Sequence, residues 1–218
     1  GDSCLSDTAV RRIFSSFSAL KSLSFASRTA SAKSLLELQN MTTLTTLTLK
    51  LGNEDYDEEE DEDPMPLQMT DDVLRALASL VQLRSLSIDD CFSPATNQGM
   101  QELGALTGLT YLELRLGSTV SDDWLGMLRN LISLNTLHLS GPMIHGTAAR
   151  EWSSLTALTS LKLVQGVTND GARAVGTLTS LTSLDIVSCP ALSTVDAVSN
   201  LHALRTLSLS GCRELSDV

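Results

Sequence analysis

Three side chains near the middle of the chain, Glu113, His138 and Asp185, have the chemistry needed for proton transfer or metal binding. Glu113 and His138 would lie roughly 5 Å apart if they occupied neighbouring strands of one sheet. A carboxylate beside an imidazole forms an acid–base pair, but no nucleophile accompanies these residues and no cysteine is free to join them. The sequence therefore predicts no enzyme activity, no cofactor and no metal site.

The other reactive side chains are four cysteines, Cys4, Cys91, Cys189 and Cys212. The last three occupy the same position of a recurring sequence pattern, the frame described below. Leu-Ser-Asp directly follows Cys4, and it also follows Cys212 after two intervening residues. This recurrence favours a ladder of inward-pointing thiols that bond to backbone groups of a turn. A Cys189–Cys212 disulfide is the alternative, because adjacent repeats would bring these residues within bridging distance. Free thiols predict a reducing compartment, the cytoplasm or the nucleus.

The frame places aliphatic residues at positions one, four and six, as in Leu204, Leu207 and Leu209, with Cys212 at position nine. It recurs eight times, and the steps between middle aliphatic residues are 24, 39, 26, 25, 24, 23 and 23 residues. Each frame predicts a short strand, and stacked repeats would share one continuous core. The predicted strands are 22–25, 46–49, 85–88, 111–114, 136–139, 160–163, 183–186 and 206–209.

The segments between strands carry helix-start signals. A hydroxyl residue precedes Asp7, Asp71, Asp122 and Asn169, and apolar residues follow these positions. The hydroxyl caps the first turn, and an acidic residue favours the positive end of the helix dipole. The sequence therefore predicts one domain over residues 1–218, with short helices returning between strands.

The negative charge is concentrated in the one long step between strands. The chain holds 26 acidic and 15 basic residues, and nine of the acidic ones fall between positions 54 and 63. Self-repulsion and two prolines predict a solvated, disordered insertion over 52–66. Contact with a basic partner and calcium binding are alternatives, although the EF-hand spacing is absent. The acidic residues are Glu54, Asp55, Asp57, Glu58, Glu59, Glu60, Asp61, Glu62 and Asp63.

Two classes of partner are excluded by composition. The remaining 17 acidic and 15 basic residues leave the repeats near neutral, without the basic stripe of a nucleic-acid binder. No run of 18 apolar residues occurs, so no membrane span is predicted. The frame starts and stops in mid-repeat, which predicts that flanking sequence or another subunit covers the ends.

The frame and the segments Cys4–Asp7 and Cys212–Asp217 resemble the cysteine-containing class of leucine-rich repeats found in F-box substrate adaptors of ubiquitin ligases. The likeness covers the chain outside 52–66 and implies an α/β, right-handed leucine-rich-repeat solenoid, or horseshoe, with a parallel concave sheet and short convex helices. It also implies an adaptor that binds proteins, with a substrate-receptor role in a ubiquitin ligase. Several repeats depart from the class, with Gly52, Gly117, Pro142 and Gly166 at the cysteine position.

The predicted binding surface is the concave face of the sheet. Tyr111 and Arg115 flank Glu113 and are proposed as anchors, because tyrosine and arginine are enriched among binding hot spots. Simple cross-strand pairing is the alternative. A structural subunit of a large assembly and an extracellular ligand-sensing module are the other functions considered. The central column of outward positions is Ser24, Thr48, Ser87, Glu113, His138, Lys162, Asp185 and Ser208.

Overall fold

A computed structural model describes residues 7–27, 30–51, 69–90 and 95–215. Eight strands form one sheet in the order of the chain, and every neighbouring pair is parallel. The predicted α/β fold with a parallel sheet is confirmed. The strands are β1 (Ser22–Ala26), β2 (Thr46–Lys50), β3 (Ser85–Asp90), β4 (Tyr111–Leu116), β5 (Thr136–Gly141), β6 (Ser160–Gln165), β7 (Ser183–Val187) and β8 (Thr206–Ser208).

Short helices connect the strands, as the helix-start signals predicted. The α-helices are α1 (Asp7–Ser16), α2 (Ala32–Leu35), α3 (Asp71–Ala78), α4 (Asn97–Gln101) and α5 (Asn169–Val175). The 3₁₀ helices are η1 (Leu36–Asn40), η2 (Glu102–Ala105), η3 (Asp122–Asn130), η4 (Thr147–Ser154) and η5 (Asp196–Asn200). In the described part of the chain, no helix is long and apolar enough to cross a membrane.

The register of the sheet follows the leucine frame. Middle aliphatic residues pair strand by strand, from Leu23 opposite Leu47 to Leu184 opposite Leu207. These side chains point into the core, whereas the residues between them face outward, because side chains alternate along a strand. The middle leucines of β2–β7 are buried, and Trp124 and Trp152 fill the space beneath η3 and η4. One continuous apolar core therefore runs along the stack.

A ladder of hydrogen bonds joins the helix starts of successive repeats. In each case the first residue of a helix, an Asp or Asn that follows Ser or Thr, accepts a backbone N–H from the next repeat. Thr96 N donates to Asp71 at 2.8 Å, and Ser31 donates to Asp7 and lowers the pKa of that carboxyl group. We call these residues the helix-start ladder. Its acceptors are Asp7, Asp71, Asn97, Asp122 and Asn169.

Candidate functional site

The central column forms a line across the solvent-facing side of the sheet, the concave face of such a solenoid. Glu113 lies opposite His138, His138 opposite Lys162, and Lys162 opposite Asp185 in the register of β4–β7. All four side chains are partly exposed. Glu113 and His138 therefore become neighbours, as predicted, whereas Asp185 lies two strands beyond His138. The structure thus separates Asp185 from the pair considered for chemistry.

Glu113 is the centre of a hydrogen-bonded group on β3 and β4. Its Oε2 accepts a hydrogen bond from Tyr111 Oη at 2.8 Å and another from Ser87 Oγ at 3.0 Å. Burial and the adjacent Glu113 carboxylate raise the pKa of Tyr111 to about 12, so its phenol stays protonated at neutral pH. The Tyr111 ring is thereby fixed in one orientation on the face before any partner arrives.

His138 extends this group onto β5. Its ring meets the Tyr111 ring edge to face, with centroids 5.6 Å apart and an interplanar angle of 71°. His138 Nδ1 lies 4.0 Å from Glu113 Oε1. Burial is the main cause that lowers the pKa of His138, and Lys162 lowers it further, whereas Glu113 and Asp185 act in the opposite direction. The imidazole is therefore neutral at pH 7.

Arg115 and Asp89 form a cross-strand pair beside this group. Arg115 Nη1 lies 3.5 Å from Asp89 Oδ2, in the register of β3 and β4. Arg115 therefore fits the alternative of simple cross-strand pairing. A partner would meet a guanidinium group that Asp89 has already oriented. The sequence placed Ser87 in the central column without its bond to Glu113, and it did not single out Asp89. Each lies one frame before the residue that it contacts, which was a usable signal.

Lys162 and Asp185 differ from their neighbours. They are paired in register on β6 and β7. Nevertheless, no ion pair within 4 Å joins either charge to another side chain over the described residues. Their charged ends remain available to a ligand. Glu113, in contrast, already accepts hydrogen bonds from Tyr111 and Ser87.

Among the described residues of this face, the side chains form neither a nucleophile–base relay nor a metal cluster. Ser87 Oγ donates to Glu113 and not to the imidazole, so serine, histidine and carboxylate do not form a nucleophile–base relay. Across the described ranges, no three His, Cys, Asp or Glu side chains come together as a metal site. What this face presents is an oriented aromatic pair, one cross-strand ion pair and two unpaired charges.

The predicted cysteine ladder is only partly covered by the described residues. Cys189 and Cys212 are buried free thiols. Cys189 donates to the carbonyl of Val187 at 3.4 Å, and Cys212 donates to the carbonyl of Ile186 in the preceding repeat at 3.6 Å. Cys4, Cys91 and the acidic residues from Glu54 to Asp63 lie outside the described residues.

The lowered pKa of His138 predicts a pH dependence of stability. The unfolded chain takes up a proton near the usual histidine pKa of about 6.5, before the folded chain does. We therefore expect the free energy of unfolding to be constant above that pH, to fall as the pH drops below it, and to level off below the lower pKa of the folded state. Urea midpoints between pH 5 and 8 for the wild type and for His138→Gln test this. Identical slopes for the two proteins would contradict it, and an NMR titration of the His138 ring locates the folded pKa directly.

Two solved structures share this fold. Internalin C2 from Listeria monocytogenes superimposes with a TM-score of 0.58 and 16% sequence identity, over 94% of this chain and 84% of the internalin chain. The TLR13 chain of a TLR13–ssRNA13 complex superimposes with a TM-score of 0.53 and 16% identity, over 97% of this chain but only 36% of TLR13. At these identities the likeness establishes the fold alone, a leucine-rich-repeat solenoid. No protein-family profile matches the sequence, and no curated protein matches it either.

Proposed function

We propose that the chain is a non-catalytic protein-binding scaffold that uses the sheet face of β4–β7. One observation carries the proposal. The central column holds charged or aromatic side chains on those four strands, whereas on β1–β3 and β8 it holds only serine and threonine. A side-chain pattern confined to half of a uniform sheet is not required for folding, because these positions lie outside the core.

The geometry of this half favours binding. Tyr111 is fixed by Glu113 and packed against His138, so little side-chain entropy remains to be lost when a partner covers it. Lys162 and Asp185 keep their charges open and would select a partner that brings an acidic and a basic group in matching order. Rigid aromatic anchors surrounded by complementary charges are typical of protein interfaces.

RNA is the second candidate ligand, because the similar TLR13 structure is a complex with ssRNA13. The central column holds two acidic residues, Glu113 and Asp185, and one lysine. At the second position of the frame the bases Lys21, Arg84 and Arg205 fall on repeats one, three and eight. In the column next to the central one, Lys50 and Arg115 fall on repeats two and four, with Asp89 between them. Phosphate backbones bind to continuous basic surfaces, so this distribution favours a protein partner.

Within this class we propose a substrate-adaptor role, supported by the likeness of the repeat sequence to F-box adaptors. The free thiols of Cys189 and Cys212 support a reducing compartment, the cytoplasm or the nucleus. Co-purification of ubiquitin-ligase subunits with the tagged chain would test the role, and imaging of the same chain would test the location. Stoichiometric structural partners without ligase subunits would instead favour a subunit of an assembly.

Replacing Tyr111 with alanine is expected to weaken partner binding at least 10-fold, since hot-spot truncations cost about 2 kcal/mol or more. A photo-crosslinking residue at position 162 would capture what binds the sheet face, and one at position 129 would report the opposite, helical side. We expect a protein adduct at 162 that is absent at 129 and is lost in Tyr111→Ala.

The matched control is Thr48→Ala, which removes an outward side chain from β2 in the same column. Adduct yield should survive this change and should largely survive Tyr111→Phe, which keeps the ring. Equal adducts from positions 162 and 129, or a yield unchanged by Tyr111→Ala, would reject the sheet face as the site. A nuclease-sensitive adduct at position 162 would favour RNA.

A further inference from the structure

We propose that Cys189 and Cys212 are a reversible dithiol–disulfide pair, a redox modification site that fastens the eighth repeat to the seventh. The inference does not depend on the proposed binding function. It rests on the register of β7 and β8, the position of both thiols against neighbouring carbonyls of β7 and the exposure of Leu207 in β8.

The register places the two cysteines side by side. Ser183 is opposite Thr206, an offset of 206 − 183 = 23 residues, and the cysteines have the same offset, 212 − 189 = 23. The alignment persists beyond the strands, because Ser188 N donates to Ser210 O at 2.7 Å. Neighbouring strands lie about 4.8 Å apart, and disulfides form at Cα separations of about 4.4–6.8 Å.

Both thiols lie against the end of β7. Cys189 Sγ donates to Val187 O at 3.4 Å, and Cys212 Sγ donates to the adjacent carbonyl of Ile186 at 3.6 Å. These sulfur-to-carbonyl bonds are weak. Forming the disulfide therefore breaks only weak hydrogen bonds and leaves the order of the repeats unchanged.

Access to this pair is controlled by the eighth repeat. The core position of Leu207 is 46% exposed, whereas its equivalent Leu184 is fully buried, because among the described strands β8 has a neighbour on one side only. A repeat packed on one side opens locally at lower cost than a repeat packed on both sides. Burial raises the pKa of the Cys189 thiol, so reaction is slow in the closed state and follows opening of β8.

The chemistry balances with a small-molecule disulfide such as oxidised glutathione as the oxidant. Cys212, 8% exposed against 0% for Cys189, loses its proton and attacks one glutathione sulfur, which breaks that S–S bond and releases one glutathione thiolate. Cys189 then loses its proton, attacks the Cys212 sulfur and expels the second glutathione. Two protein thiols are oxidised, one disulfide is reduced, and the two protons end on the two glutathione molecules. Excess reduced glutathione reverses both steps.

The experiment equilibrates the folded chain of residues 1–218 with defined ratios of oxidised and reduced glutathione, alkylates the remaining thiols and maps the peptides without reduction. We expect one Cys189–Cys212 cross-link that forms and disappears reversibly with the ratio. Amide exchange across residues 206–209 should slow about 10-fold on oxidation, because the bridge restrains opening of the last repeat. The chain in urea should instead yield mixed pairings that include Cys4 and Cys91.

Variants identify the roles of the two thiols. Cys189→Ala should stop the reaction at a glutathione adduct on Cys212, Cys212→Ala should prevent it, and Cys91→Ala should leave the cross-link unchanged. Amide exchange of β2–β7 shows whether each variant still folds. Preferred pairing with Cys4 or Cys91, a stable glutathione adduct in the wild type, or oxidation only in urea would each overturn the proposal.

Discussion

Replacing Gly171 with alanine is expected to lower the free energy of unfolding by about 3 kcal/mol or more, the upper range for forced overpacking. Gly171 is buried in α5, and a Cβ built on it would lie 1.8 Å from the carbonyl oxygen of His145 in the preceding repeat. Real Cβ contacts begin near 3 Å, so the two backbones would have to separate by more than 1 Å. The partner atom belongs to the backbone, and no rotamer change can relieve the overlap.

The loop that carries this carbonyl is held in place. Asp122 accepts hydrogen bonds from His145 N and Thr147 N at 2.7 and 2.9 Å, and Thr168 N donates to His145 O at 3.3 Å. Gly146 has a φ of 82°, a left-handed conformation that glycine adopts without strain. Because the loop is restrained on both sides, it cannot move to make room for the methyl group. The added methyl group therefore weakens the packing of α5 against η4.

Gly104→Ala is the matched control. A Cβ at Gly104 in η2 would make only ordinary contacts, the nearest at 3.5 Å from Met127. Alanine is the better helix former, so this change should be neutral or stabilising by up to about 1 kcal/mol. Urea midpoints of the two variants measure the difference. Equal midpoints would show that η4 and α5 are more loosely packed than the structure has them.

Sequence reasoning identified the strands because the information is local. Aliphatic residues at positions one, four and six of a frame both form the strand and define its inward face, so the register of Leu47, Leu86 and Leu112 follows from the frame. The long step between Leu47 and Leu86 did not disturb it, because an insertion between strands leaves the stacking unit unchanged.

The sequence predicted which residues share the sheet face, but it did not predict which of their side chains hydrogen-bond to each other. The frame placed Glu113 beside His138 and on the face shared by Tyr111. Whether Glu113 would bond to Tyr111, Ser87 or His138 depends on side-chain rotamers, and a repeat frame carries no information about them. The same limit explains Lys162 and Asp185, which are neighbours in register without being an ion pair.

The helix-start ladder shows a second limit. The hydroxyl–Asp and hydroxyl–Asn pairs correctly predicted where helices begin. The predicted side-chain cap forms at Thr70 and Thr168, whereas Ser121 makes no cap hydrogen bond at the start of η3. The larger role of these residues, binding a backbone segment 23 to 25 residues further along the chain, depends on how repeats stack. Gly171 was overlooked for a related reason, since a glycine within a helix signals only weak propensity until the neighbouring repeat is in place.

Replacing Asp122 with alanine is expected to lower the free energy of unfolding by about 3 kcal/mol, the second large effect that we predict. Hydrogen bonds to a charged group contribute about 1.5–3 kcal/mol. Its Oδ1 accepts from His145 N at 2.7 Å and Gly146 N at 3.3 Å, and its Oδ2 accepts from Thr147 N at 2.9 Å and Thr147 Oγ1 at 2.7 Å. One carboxylate therefore caps the start of η4, where negative charge is also favoured by the helix dipole. Alanine would leave three backbone N–H groups without their acceptor.

Two substitutions separate this role from a loss of charge. Asp123→Ala removes the same charge one residue further along. There the carboxylate is exposed and, among the described residues, accepts only side-chain bonds from Asn97 and Ser121 at 3.1 and 3.0 Å, so its cost should stay below about 1 kcal/mol. Asp122→Asn keeps one acceptor oxygen and should fall between the two. Urea unfolding of the three variants gives the order, and an Asp123→Ala cost equal to that of Asp122→Ala would contradict the capping role.

The double variant tests the link between the two predictions. If Asp122 holds the His145 carbonyl against α5, then releasing the loop by Asp122→Ala lets that carbonyl retreat from an alanine at position 171. The combined loss should therefore be smaller than the sum of the single losses, by about 1 kcal/mol, as expected for sites that share a backbone segment. A strictly additive double variant would mean that the carbonyl stays in place without Asp122, and that the helix-start ladder caps η4 without positioning the loop.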